Sequence, residues 1–204
     1  MSACRNAAGN AMKIGVLALQ GAFREHKLML ERCGAQVCEV RKATELEGLD
    51  GLVLPGGEST TIGKLMVDFG LLEKIQERYA AGMALYGTCA GMILLCREII
   101  GSDQPRLGLF DACVQRNAFG RQRESFEADL FVPEMGASEK PIRAVFIRAP
   151  YLEQTGPDVQ VLAAVNGKAV IARQGKILTT SFHPELTDDD RIHRYFLQMI
   201  CEEN

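Results

Sequence analysis

The sequence has no tryptophan, only three histidines in 204 residues, and no strong charge of either sign, its formal net charge being −3. A balance this mild gives no electrostatic footprint for nucleic acid or for an acidic membrane surface, and RQRE at 121–124 is too short and too balanced to supply one. No apolar stretch approaches the roughly 20 residues that a membrane helix needs. The opening MSACRNAAGNA lacks the apolar core of a secretory signal. There is no internal repeat, linker or low-complexity segment. The cysteines (4, 33, 38, 89, 96, 113 and 201) are odd in number and include no C-x-x-C pair, which argues against a disulfide framework, a zinc site and a thioredoxin-type motif. Reduced thiols in a cytoplasmic protein are the reading, with no metal and no cofactor expected.

What is present fits one soluble globular domain, with 47% hydrophobic residues and length enough to bury a core. The folded unit is expected over residues 12–204, and residues 1–11 are read as an extension that takes no part in it. KIGVLALQ (13–20) is a near-continuous apolar run ending at a glycine, as buried parallel strands do. A helix (22–34), a strand (35–40), a strand ended by Pro and two glycines (51–57) and a two-piece helix broken at Gly70 (59–82) follow. MALYG (83–87) reads as the next strand and GMILLCREII (91–100) as the helix behind it. This alternation predicts an α/β fold in three layers, a mostly parallel central sheet with helices on both faces.

The second half is richer in strands. ACVQR, FEADLFV and IRAVFIRA read as strands, and Asn166-Gly167 between two strand-like runs is a hairpin signal. The sheet is therefore expected to become mixed, with antiparallel strands late in the chain. The segments 97–110 and 133–141 read as a polar loop and a surface excursion. TDDDRIHRYFLQMI (187–200) reads as a helix with a capping box from Thr187 to Asp190, and with Ile192, Phe196, Met199 and Ile200 on one face.

Gly87-Thr88-Cys89-Ala90-Gly91 stands where a strand hands over to a helix, the pattern of a nucleophile elbow. Small flanking residues let the turn close and push the nucleophile out at the carboxyl end of the sheet. The helix N-terminus favours a thiolate there, and the Ala90 amide points where an oxyanion would form. The blander reading, a buried core cysteine, suits Cys33, Cys38, Cys96 and Cys113 better.

A cysteine nucleophile wants a base. His26 and His193 lie in amphipathic helices among charged neighbours, where solvated histidines are expected. His183 ends a strand and precedes Pro184, which keeps it extended, so Glu185 two residues on points the same way. That is the base-and-orienter relation of a triad, against a plain strand exit with a surface glutamate. LPGGEST (54–60) offers free backbone amides that would complete an oxyanion hole, or a plain turn with Ser59 or Thr60 as helix cap.

The elbow, the upstream P-G-G loop and the late H-P-E resemble the triad (class I) glutamine amidotransferases. GVLALQGAFREH (15–26), LPGGESTTIGKL (54–65), YGTCAGMILL (86–95), QRNAFGRQRESFE (115–127), FIRAP (146–150) and SFHPELTDDDRIHRYF (181–196) are similar, in order, to the glutaminase subunits of pyridoxal 5′-phosphate synthase. The resemblance implies hydrolysis of L-glutamine by Cys89, His183 and Glu185, with Gly57 and Ala90 amides at the oxyanion. It also implies substrate contacts at Gly57, Glu58, Ser59, Arg116, Ile147 and Arg148. The module consumes the whole chain, so ammonia needs an acceptor on another polypeptide. In the family that acceptor is a (β/α)8-barrel synthase subunit in a large hetero-oligomer. A glutaminase serving another acceptor, a related cysteine hydrolase or peptidase, and a thiol-sensing module without turnover remain as alternatives.

Overall fold

The computed structural model describes residues 9–116 and 125–202. The first half alternates as the pattern predicts: β1 (Lys13–Leu17), α1 (Phe23–Arg32), β2 (Gln36–Val40), β3 (Gly51–Leu54), α2 (Ser59–Asp68), α3 (Leu71–Ala80), β4 (Ala84–Thr88) and α4 (Ala90–Leu95). Then come β5 (Cys96–Ile99), β6 (Phe110–Gln115), β7 (Ser125–Val132), β8 (Ala137–Ile147), β9 (Tyr151–Thr155), β10 (Gln160–Val165), β11 (Lys168–Gln174), β12 (Ile177–Thr180) and α5 (Arg191–Cys201). Ten strands form one sheet in the order β2-β1-β3-β4-β12-β11-β9-β6-β5, with β10 on β11, while β7 and β8 pair as a separate ribbon. The run from β2 to β12 is parallel and the β12-β11-β9-β6 steps are antiparallel, the mixed sheet expected.

Alternation along each strand divides the core in two. Val53, Ala84 and Tyr86 face a cluster with Leu30 of α1, Phe196 and Leu197 of α5, and Phe146 of the ribbon. Leu52, Leu54 and Leu85 face the other way, onto Ile62 of α2, Ile75 of α3 and Leu94 of α4. A fully buried side chain such as Phe196 contributes roughly 2–3 kcal/mol by leaving water. The hairpin at Asn166-Gly167 forms as its sequence signals, both residues having positive φ (51° and 75°).

Four expectations are corrected. The helix placed over 91–100 stops at Leu95. Cys96 is already extended (φ −62°, ψ 145°), and Cys96–Ile99 becomes an edge strand parallel to β6. A short apolar run has no period that separates the two, and the free edge of β6 decides for strand. The start of α5 also moves, from Thr187 to Arg191. The Thr187 hydroxyl is used locally, donating to the Pro184 carbonyl (3.1 Å), and the Asp189 carboxylate accepts the Arg191 amide instead (3.1 Å).

The third correction concerns the segment 133–141, which lies at the surface over most of its length as expected but is built into the fold rather than looping free of it. Met135 is buried in a 3-10 turn and Ala137 opens β8. The Arg191 guanidinium donates to the carbonyls of Gly136, Lys140 and Pro141 and ties the segment to α5. Fourth, Cys33 and Cys96 are buried as expected, but Cys38 is exposed on the edge strand β2 and Cys113 is half-buried. Strand β9, which the sequence reading left unassigned, fills the gap between β6 and β11.

Candidate active site

Strand register brings the site together. Thr88 pairs with Thr180 and Gly87 with Leu54, so the chain leaves β4, β12 and β3 at neighbouring points along one edge. Adjacent strands are about 4.8 Å apart, and the next residues on each are Cys89, Ser181–His183 and Pro55–Glu58. This is the carboxyl end of the parallel strands, where open α/β sheets bind ligands.

Cys89 has φ 49° and ψ −101°, a conformation that side chains rarely adopt, and its amide donates to the Thr180 carbonyl (2.8 Å). The elbow glycines are required by contact. A Cβ on Gly91 would lie 2.0 Å from the Leu54 carbonyl oxygen, and one on Gly87 would lie 2.5 Å from the Gly91 backbone. Cys89 keeps 9% of its surface exposed, while Ala90 behind it is 1% exposed.

His183 stands over Cys89. A Cβ on Gly56 would lie 2.5 Å from His183 Cε1 and 3.5 Å from Cys89 Cβ, so the missing side chain makes room for both. The His183 Nδ1–H donates to Glu185 Oε1 (2.8 Å). The pair meets as the spacing predicts, but by another route: Pro184–Leu186 form a 3-10 turn rather than continuing extended. Proline is well suited to open such a turn.

Burial works to lower the His183 pKa, yet hydrogen bonds to Cys89 and Glu185 and the charges of both outweigh it and raise it to about 10. Burial alone would raise that of Glu185, but the imidazoles of His26 and His183 hold it below its ordinary 4.5. A pKa raised from 6.5 adds stability that is complete below 6.5 and lost as pH rises through 10. The lowered Glu185 adds stability above 4.5. Wild type is therefore expected to out-melt His183→Gln by the widest margin between pH 4.5 and 6.5, the margin closing towards pH 10. Thermal melts across that range check this, and a margin that widens with pH contradicts it.

A cavity of about 400 Å³ opens beside the thiol, lined by Gln20, Gly57, Glu58, Ser59, Cys89, Ile93, Arg116, Ile147, Arg148 and His183. Every substrate contact expected from the resemblance lies on its wall. Ala90 and Glu185 are buried behind it. The His183 amide donates to Val145 (2.9 Å), which brings the end of β8, and with it Ile147 and Arg148, to the rim. Arg148 takes a positive φ of 44° there. The Glu58 carboxylate, not Ser59 or Thr60, caps α2, accepting from the Thr60 hydroxyl (2.7 Å) and amide (3.4 Å). Those Thr60 bonds lead in holding the Glu58 pKa down, against burial, with Arg116 and Arg148 adding to it. Residues 117–124 of the QRNAFGRQRESFE motif lie outside the described residues.

Four residues of the site escaped the sequence reading. Gln20 Oε1 accepts the Glu58 amide (2.8 Å) and pins the P-G-G loop. Gln104 Oε1 accepts from Arg116 Nη1 (3.0 Å) and from the Ser59 hydroxyl (3.4 Å), so the segment read as a polar loop supports the cavity wall. His26 and His193, expected to be solvated, are fully buried. His26 Nε2 lies 3.3 Å from Glu185 Oε2. A signal for both was present: His26 precedes Met29 and Leu30, and His193 precedes Phe196 and Leu197, at the i+3 and i+4 spacing of a buried face.

Comparison with known proteins adds independent findings. The family model for the SNO glutamine amidotransferase family matches residues 16–202. A protein of Moorella thermoacetica called pyridoxal 5′-phosphate synthase subunit PdxT is 61% identical over 93% of this chain and 100% of its own length. One of the same name from Pelotomaculum thermopropionicum is 62% identical over 92% of this chain and 94% of its own. A crystal structure described as a glutamine amidotransferase superposes with a TM-score of 0.86 at 53% identity, covering 92% of this chain and 98% of that one.

Proposed function

The chain belongs to the SNO glutamine amidotransferase family, and from that premise we propose that it is the glutaminase subunit of a cytoplasmic pyridoxal 5′-phosphate synthase. The observation that carries the chemistry is a strained cysteine beneath a histidine, both at the wall of one cavity, with the histidine bonded at 2.8 Å to a carboxylate buried behind it. The two relatives named above carry the name of that synthase's subunit.

In this reading L-glutamine lies with its side-chain amide at Cys89. Its α-carboxylate meets the guanidinium groups of Arg116 and Arg148, and its ammonium meets Glu58. Gly57, Ser59 and Ile147 complete the contacts. The Cys89 thiolate attacks the amide carbon, and the carbonyl electron pair moves to oxygen, where the Ala90 and Gly57 amides receive it. His183, holding a proton at neutral pH, gives it to the departing nitrogen as the C–N bond breaks. Ammonia leaves and a glutamyl thioester remains.

Thioester formation consumes the thiolate charge, one of the influences that keep His183 protonated. The imidazole then takes a proton from water, the hydroxide attacks the thioester carbon, and glutamate departs as the thiolate returns. Glu185 holds the Nδ1–H throughout and stabilises the imidazolium.

Free ammonia becomes ammonium in neutral water and stops being a nucleophile, so it is passed to a (β/α)8-barrel synthase subunit on a separate chain. Glutamate release from glutamine, measured for the chain alone and with that synthase subunit, tests this. A rate raised by the partner supports both chemistry and delivery. A rate indifferent to it keeps the glutaminase and overturns the partner, and no release in either mixture overturns the glutaminase.

A further inference from the structure

Glu185 has a second imidazole on its other oxygen. His26, on α1, is fully buried, with Nε2 3.3 Å from Glu185 Oε2 and 3.1 Å from the Thr88 hydroxyl, the residue just before Cys89. Its Nδ1 lies 2.9 Å from Nε2 of His193, equally buried on α5. The Tyr86 ring closes the pocket edge-on to both imidazoles, and its hydroxyl is engaged with Thr180. The titratable groups facing His26 from neighbouring elements are thus Glu185, His183, His193 and Tyr86, with Glu25 on its own helix.

Proton counting selects one arrangement. Burial leads in lowering the pKa of both His26 and His193, so each is a neutral ring with one N–H. Suppose His26 carried its proton on Nδ1. It would donate to His193 Nε2, and the His193 proton would sit on Nδ1, a buried atom without a hydrogen-bond partner among the described residues. The bare His26 Nε2 could accept from the Thr88 hydroxyl, but it would also face a carboxylate oxygen at 3.3 Å. An orphaned buried N–H and a lone-pair clash are both costly. With the protons on the two Nε2 atoms, His193 donates to His26, and the His26 N–H donates to the Thr88 hydroxyl (3.1 Å) while turning its positive end toward Glu185 Oε2 (3.3 Å). What is left short is acceptors alone, His193 Nδ1 and Glu185 Oε2, and Oε2 still has the His26 Nε2 at 3.3 Å, so this is the cheaper omission.

We propose that His26 is a positioning residue for the glutaminase reaction: its Nε2–H holds Oε2 of Glu185 so that Oε1 stays on His183, and His193 fixes the tautomer that makes this possible. The inference rests on the triad reading above. It adds a support running from α5 through α1 to the 3-10 turn that carries Glu185. His26 lines no part of the cavity and touches no substrate.

The test uses imidazole ¹⁵N spectra of the full chain, in which three histidines give few signals, together with glutamine kinetics in the presence of the synthase subunit. His26 and His193 are each expected as the Nε2–H tautomer, unchanged across the neutral pH range. His26→Leu bares one carboxylate oxygen and makes Glu185 more basic. It is expected to raise the His183 titration midpoint by about half a pH unit and to lower kcat roughly 10–100-fold with KM unmoved. His26→Gln, whose amide N–H reaches where Nε2–H was, restores most of both. An Nδ1–H tautomer at His26 overturns the proposal without any variant. So does a His26→Leu protein whose His183 midpoint matches wild type, or a loss that Gln fails to restore. If no preparation hydrolyses glutamine, the triad reading fails on kinetics alone, while the spectra still decide whether His26 turns an N–H toward Glu185.

Discussion

Cys89→Ala is expected to lower glutamine hydrolysis by at least about 10⁴-fold while leaving the fold intact. In the proposed mechanism the sulfur is the atom that bonds to substrate, and no other described cysteine lines the cavity to replace it. The companion variant Cys89→Gly separates chemistry from strain. At φ 49° and ψ −101° a Cβ is held in a disfavoured conformation, and such residues cost roughly 1–3 kcal/mol each. Glycine adopts this backbone freely. Cys89→Gly is therefore expected to be as inactive as Cys89→Ala yet to melt higher than either Cys89→Ala or wild type. Kinetics and thermal melts of the three proteins check this. A glycine variant no more stable than the alanine variant would show that the elbow is unstrained.

Gly91→Ala is expected to be strongly destabilising for the addition of one methyl group. Its Cβ would stand 2.0 Å from the Leu54 carbonyl oxygen and 3.0 Å from the Leu54 Cβ. Backbone cannot step aside as a flexible side-chain tip can, so β3 and α4 must separate. Forced overpacking costs about 3 kcal/mol when backbone has to move. Leu54 leads straight into the Pro55–Glu58 loop, so the same displacement should pull Gly57 away from Cys89 and reduce kcat. Gly70→Ala is the control. Gly70 also has positive φ (64°), but nothing lies within 4 Å of its added Cβ, so it bears only the conformational cost, about 1 kcal/mol. Equal destabilisation of the two variants would contradict the steric argument.

What the sequence disclosed was local. The elbow glycines, the His183–Glu185 pair and the Asn166-Gly167 hairpin are encoded within a few residues, because close approach, proline geometry and positive φ each demand a residue type at a fixed offset. What it hid is non-local. His26 and His193 are 167 residues apart and meet only because α1 and α5 pack on the same face of the sheet. Their charged neighbours in sequence point away from that contact. Gln20 and Gln104 belong to the site only after β1 and the segment behind β5 are brought to Glu58 and Arg116. The end of α4 was hidden for a related reason. MILLCREII satisfies a helix or a strand, and a free strand edge, absent from any local pattern, settles it. Even the carboxylate of His183 was found by a correct spacing on an incorrect backbone, since a 3-10 turn and an extended segment both bring positions two apart within reach.

The account rests on Cys89 acting as the nucleophile toward glutamine. Its most direct test is exposure of the chain, with the synthase subunit present, to the diazoketone analogue of glutamine, followed by peptide mass mapping. The account predicts one analogue per chain, attached at Cys89, with excess glutamine protecting it and His183→Ala strongly slowing the labelling. Labelling at another residue, or an unlabelled Cys89 under conditions in which glutamine is hydrolysed, would contradict it.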